Sequence, residues 1–193
     1  MERLCIFSGS SPGGHPDYAE ATAALGRALA GAGVGLVYGG ARVALMGAMA
    51  DAVLAAGGAV TGVMPEALVA KEVAHAGLTE LHVVRSMHER KALMADLADA
   101  FVAMPGGWGT LDELFEILTW AQLGLHRKPC AVLNIRGYFD PLLAFLDHSV
   151  REGFVRAEHR GMLLVARAPG ELLDRLGESR PPIVEKWITR ADT

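Results

Sequence analysis

The residues with the clearest capacity for chemistry lie in one short run, Pro105-Gly106-Gly107-Trp108-Gly109-Thr110-Leu111-Asp112-Glu113. Its glycines open backbone conformations closed to other residues and let peptide N–H groups approach a ligand with no side chain between. An apolar, strand-like segment precedes the run and a helix-like segment follows it. A turn so placed ends at a helix N-terminus, whose orphan N–H groups and positive dipole end suit a phosphate, and the Thr110 hydroxyl adds a donor. The simpler alternative is a tight turn that holds nothing. Glu113 also has two readings. Thr110-x-x-Glu113 has the spacing of a capping box, in which the carboxylate serves only the start of its helix. Alternatively it lies one turn inside the helix and faces the sugar of a nucleotide whose phosphate sits at the loop. There it could stabilise a cationic ribosyl centre or activate water.

A second constellation, Met87-His88-Glu89-Arg90-Lys91, opens another helix-like segment. Arg90 precedes Leu93 and Leu97 by three and seven residues, which puts it on the stripe that faces the core. Either its head snorkels back to water from a helix end, or its fixed donor fork points into a cleft beside the Gly-rich loop, where it suits a phosphate or carboxylate. Lys91 is either a solvated lysine or a second positive charge for the same cleft. His88-Glu89 does not begin a zinc helix, because HExxH needs a histidine where Ala92 stands. The P-loop pattern and an intact GxGxxG are both missing, so neither a nucleoside triphosphatase nor a simple dinucleotide dehydrogenase is indicated.

These residues must be positioned by the elements around them. Short apolar segments at 3–8, 34–38, 59–63, 81–84, 100–104, 130–133 and 163–166 read as strands. Helical spacing appears at 17–30, 45–56, 87–98, 110–123, 141–152 and 169–176, while 65–77 is less regular. Strands this short and apolar on both faces require helices on both faces of a parallel sheet. The alternation predicts α/β architecture: a single-domain Rossmann-like doubly wound parallel sheet over 1–180, followed by a tail at 181–193. Ile183, Val184, Trp187 and Ile188 make that tail apolar enough to cover the domain or meet a second subunit. Ligands in such folds bind beyond the carboxyl ends of the strands. Three Gly- or Ser-rich turns fall there: 8–14, Gly39-Gly40 and 105–110.

Composition narrows the partners. With 193 residues, 51% hydrophobic and 21% charged, the chain is an ordinary globular one. A formal net charge of −4 and the absence of any basic block argue against a nucleic-acid surface. Cys5 and Cys130 stand in apolar runs and read as buried strand thiols of a reducing compartment rather than a disulfide. No apolar stretch is long enough to span a membrane, and a soluble cytoplasmic protein is expected.

The run from Pro105 to Glu113 resembles the PGGxGTxxE motif of the LONELY GUY (LOG) family, cytokinin-activating phosphoribohydrolases often labelled lysine decarboxylases. Met87-His88-Glu89-Arg90-Lys91 is similar to that family's upstream Arg-Lys motif, at a fitting separation. The likeness extends from Phe7-Ser8-Gly9-Ser10-Ser11 to about Leu176. It implies hydrolysis of cytokinin riboside 5′-monophosphates, or of AMP, to free base and ribose 5-phosphate, with no metal or organic cofactor. By motif position it implies Arg90 and Glu113 as the catalytic pair and Gly106, Gly107, Gly109 and Thr110 as phosphate ligands. Lys91, Glu72 and Thr119 would be further contacts, with Gly39 and Gly40 at the second turn. It also implies a homodimer with sites near the partner chain. One departure stands out. The family's second turn reads GGGxxGLMG, whereas here Ala41 and Ala44 replace two glycines in Gly39-Gly40-Ala41-Arg42-Val43-Ala44-Leu45-Met46-Gly47. Each methyl restricts left-handed backbone and narrows the approach to a ligand, which leaves the choice between adenine and a prenylated base open. A non-catalytic nucleotide-binding or sensing module of the same fold is the rival reading. A pyridoxal-phosphate decarboxylase is disfavoured, because none of Lys71, Lys91, Lys128 and Lys186 has the setting of a Schiff-base lysine.

Overall fold

The computed structural model describes residues 1–71 and 74–180; the apolar tail and Glu72 lie outside them. Seven strands, β1 (Arg3–Phe7), β2 (Gly35–Tyr38), β3 (Val60–Pro65), β4 (Glu80–Val84), β5 (Ala100–Ala103), β6 (Cys130–Leu133) and β7 (Leu163–Ala166), form one sheet. Its order is β4-β3-β2-β1-β5-β6-β7, and every pair is parallel. The chain builds outward from β1 to β4, then returns across the sheet to β5 and builds the other way. Order therefore reverses between β1 and β5, and the helices that follow those two strands pack on opposite faces of the sheet, which leaves a crevice at the carboxyl ends.

Period-two alternation in β1 assigns the two faces. Leu4 and Ile6 point into one cluster, with Leu25 and Leu29 of α1 (Pro16–Gly31), Met49 and Val53 of α2 (Ala44–Ala55), and Leu172 of α8 (Pro169–Glu178). Cys5 and Phe7 point into the other, with Met94 and Ala95 of α4 (Met87–Leu97), Ile117 of α5 (Trp108–Gln122), and Phe101. Fully burying such a side chain contributes about 1.5–3 kcal/mol, and this two-sided burial is why the inner strands carry almost no polar residues. Cys5 and Cys130 are buried and free; burial pushes the Cys130 thiol up to about 12.

The strands and long helices appear where the apolar pattern places them, with ends displaced by one or two residues. β3 runs on to Pro65 because Pro65 still pairs with Val84 of β4. Three short elements have too few residues to show a period: α3 (Glu66–Val69), a 3₁₀ turn at Ile135–Gly137, and α7 (Ala157–Arg160). The remaining helix, α6 (Asp140–Arg151), follows that turn.

Candidate active site

The β1 and β5 loops are locked together at the crevice. The Gly9 N–H donates to the Pro105 carbonyl at 3.1 Å. A Cβ at position 106 would collide with the Thr110 hydroxyl and stand 2.9 Å from the Gly9 nitrogen, so no other residue fits there. Gly107 and Gly109 differ, because a Cβ at either would meet nothing within 4 Å. They border open space. Beside them lies a cleft of about 270 Å³, walled by Ser10, Ser11, Tyr18, Leu45, Gly107 and Tyr138.

Helix α5 begins at Trp108 with Gly107 as its N-cap and no capping side chain. That corrects the expected start at 110 and removes the capping-box reading. Thr110 is already in the first turn, 3% exposed and tucked beneath Gly106. Glu113 is free of the helix start and turns instead to α4. Its carboxylate meets the Arg90 guanidinium at 3.2 Å, and each side chain is 11% exposed.

Arg90 does not snorkel. Its Nε donates to the Val63 carbonyl at 3.1 Å, and another guanidinium nitrogen lies so close over Gly39 that any Cβ there would collide with it. The Val63 carbonyl of β3, the backbone just after β2 and a carboxylate of α5 thus surround one cation. Burial pushes the Glu113 carboxyl above the usual carboxylate range, and the Arg90 charge opposes that rise. Removing one partner of such a buried pair costs about 3–5 kcal/mol, because the other charge is left desolvated and alone.

The other anticipated residues are placed as follows. Lys91 bridges α4 to α5, its ammonium 3.1 Å from Asp112 and 3.0 Å from Glu116. Gly40 takes φ +77°, and its carbonyl accepts from the His75 N–H at 2.9 Å. Ala41 is buried in a bridge to Ala74. Ala44 adopts φ +44° despite its methyl group, so the turn keeps a left-handed residue where glycine is the easier choice. Thr119 is not brought to the cleft. Its hydroxyl donates to the Phe115 carbonyl at 2.7 Å, and it borders a separate groove of about 210 Å³ with Phe115, Leu118, Leu146 and His159. Among the described residues, no group of three His, Cys, Asp or Glu side chains could hold a metal ion.

Two tyrosines of the cleft went unread in the sequence. Tyr18 and Tyr138 meet edge to face, their ring centres 6.0 Å apart, and the Tyr138 hydroxyl donates to the Gly106 carbonyl at 2.5 Å. The available signal was positional, since Gly137-Tyr138 follows β6 at the carboxyl end of the sheet, where ligands bind.

A family model described as "Possible lysine decarboxylase" matches residues 46–176. The cytokinin riboside 5′-monophosphate phosphoribohydrolase of Rhodococcoides fascians is 52% identical over 165 residues, covering 85% of this chain and 83% of that protein. The enzyme of that name called LOG in Oryza sativa subsp. japonica is 45% identical over 181 residues, 94% of this chain and 75% of its own. Among solved structures, the molybdenum cofactor binding protein of Rippkaea orientalis superposes with a TM-score of 0.70 at 19% identity, covering 91% of this chain and 95% of its own. A molybdenum cofactor carrier protein of Chlamydomonas reinhardtii gives 0.69 at 17% identity, covering 92% and 96%. At such identities the likeness is one of fold.

Proposed function

The chain belongs to the LONELY GUY family of cytokinin riboside 5′-monophosphate phosphoribohydrolases, and on that premise we propose how its own residues carry out the reaction. It is an N-glycosyl hydrolase that cleaves the bond between base and ribose in a cytokinin riboside 5′-monophosphate and releases the base and ribose 5-phosphate. The observation that carries the assignment of roles is the buried Arg90–Glu113 pair beside a glycine loop whose Gly107 and Gly109 border open space.

Breaking the glycosidic bond builds positive charge on the ribose ring, so fixed negative charge close to that ring lowers the barrier. We assign Glu113 to that charge and to the water that adds to C1′; the departing base takes up a proton. Arg90 holds the Glu113 carboxylate in register and orients the substrate. The phosphate sits at Gly106, Gly107, Gly109 and the start of α5, with Thr110 supporting the loop from beneath. Binding energy gained there is used to place the reactive carbon. Lys91 and Glu72 complete the substrate contacts, Thr119 joins them only from across the proposed dimer, and Gly39 and Gly40 shape the second turn. AMP is a second substrate in this reading. The active form is a cytoplasmic homodimer, with residues 1–180 as its hydrolase domain and 181–193 as a tail. Neither lysine held in the described packing is a free amine for a Schiff base: Lys91 is paired to two carboxylates, and Lys128 donates to the Ala95 carbonyl.

The test is a product assay on AMP and isopentenyladenosine 5′-monophosphate side by side. Free base and ribose 5-phosphate are expected, with turnover reduced on the order of 10²–10⁴-fold in Glu113→Gln, the usual scale of acid–base catalysis. Because Glu113 acts as the carboxylate and burial raises it, activity should be lost on acidification at a pH above the ordinary 4.5. Bound nucleotide with no product from either substrate would favour the binding-module reading.

A further inference from the structure

The Gly106-Gly107 peptide carries no Cβ on either side, so its orientation is not set by side-chain sterics. In a trans peptide the carbonyl and the following N–H point in opposite directions. One orientation presents the Gly107 N–H to an anion; the reverse presents the Gly106 carbonyl oxygen and repels it. The Tyr138 hydroxyl donates to that carbonyl.

We propose that Tyr138 is a positioning residue for phosphate: it pins the Gly106 carbonyl so that the Gly107 N–H stays aimed at the ligand. The inference rests on the reading that the phosphate binds at this loop. The protein invests unusual local structure in placing the ring. The backbone before it passes through two successive left-handed residues, Arg136 at φ +55° and Gly137 at φ +71°. The buried side chain of Asn134 fixes the turn on both sides, accepting from the Phe139 N–H at 2.8 Å and donating to Asp140 at 2.6 Å. Arg136 ties the same turn to α1 through Asp17 at 3.0 Å. Tyr138 itself is 41% exposed, so the turn delivers this hydroxyl without burying its ring in the core. The ring is steadied edge-on by Tyr18 and Phe139, contacts that survive loss of the hydroxyl.

Tyr138→Phe therefore separates position from fold. In the variant, the KM for AMP and the inhibition constant of ribose 5-phosphate should each rise about tenfold, the scale of one hydrogen bond to a charged group. Its melting temperature should be unchanged, and the inhibition constant of free adenine should stay within about twofold of wild type. An unchanged KM in Tyr138→Phe beside an active wild type would overturn the role of Tyr138. An equal loss for adenine and ribose 5-phosphate would overturn it too, by showing general damage to the site. A wild-type protein that ribose 5-phosphate does not inhibit would instead overturn the phosphate reading beneath it.

Discussion

A guanidinium that reaches Glu113 from α4 must cross the backbone at the end of β2, and Gly39 is the residue that leaves it room. This gives Gly39 a purpose distinct from touching substrate. Its missing side chain is space for Arg90, whereas the missing side chains of Gly107 and Gly109 are space for something outside the fold. The substitution Gly39→Ala should push the guanidinium off Glu113 and leave a buried carboxylate alone. Activity should fall at least tenfold, with stability lowered by about 3 kcal/mol as for other broken buried pairs. Assaying turnover alongside urea unfolding checks both, and an active, fully stable Gly39→Ala protein would show that Arg90 has slack the packing does not reveal.

At the scale of elements, α4 and α5 are joined by three neighbouring ionic contacts, Arg90 to Glu113 and Lys91 to both Asp112 and Glu116. Adjacent residues on α4 therefore do different work. Arg90 is drawn inward under the sheet's carboxyl edge, while Lys91 ties the two helices together between Asp112 and Glu116. The entry to α2 shows strain instead. Ala44 keeps φ +44° at the head of its helix, a conformation that costs an L-residue about 1–2 kcal/mol. Glycine relieves that strain but loses about 0.5–1 kcal/mol of chain entropy on folding. Ala44→Gly should then be neutral or stabilising by up to about 1 kcal/mol, seen as an equal or higher denaturation midpoint. A clear loss of stability would mean that the methyl group is well packed against its neighbours.

For the molecule as a whole, the reversal of strand order between β1 and β5 creates the crevice, and the helices on either face decide what surrounds it. The flank formed by α6 and the loop after it carries Phe145, 61% exposed, and Phe154, 87% exposed, beyond the groove that Thr119 borders. Exposed aromatic side chains of this size are the usual anchors of protein contacts. The homodimer proposed above should use this flank, which would bring a partner chain toward Thr119. Sedimentation should give a mass of twice 20.4 kDa, and Phe145→Asp should shift the protein toward monomer. A monomeric wild type would refute the dimer, and a Phe145→Asp protein that stays dimeric would move the interface elsewhere.

Much of this protein is determined locally and so could be read from residue order alone. Seven short apolar runs separated by helical periods admit few arrangements besides a doubly wound parallel sheet. The glycine run could be placed at a ligand-binding end because it lies between one such strand and one such helix. Arg90 and Glu113 could be named as candidates from residue type and motif. What they do to each other could not be read, because each had a plausible solitary role: a snorkelling side chain for one, a helix cap for the other. Tertiary packing removed both alternatives. It started α5 at Trp108, which took Glu113 out of capping range, and it opened a passage over Gly39 for Arg90. The hydrogen bond from Tyr138 to Gly106 belongs to the same class. It joins loops from different strands, and no period or local motif records how closely two loops approach once the sheet between them has closed.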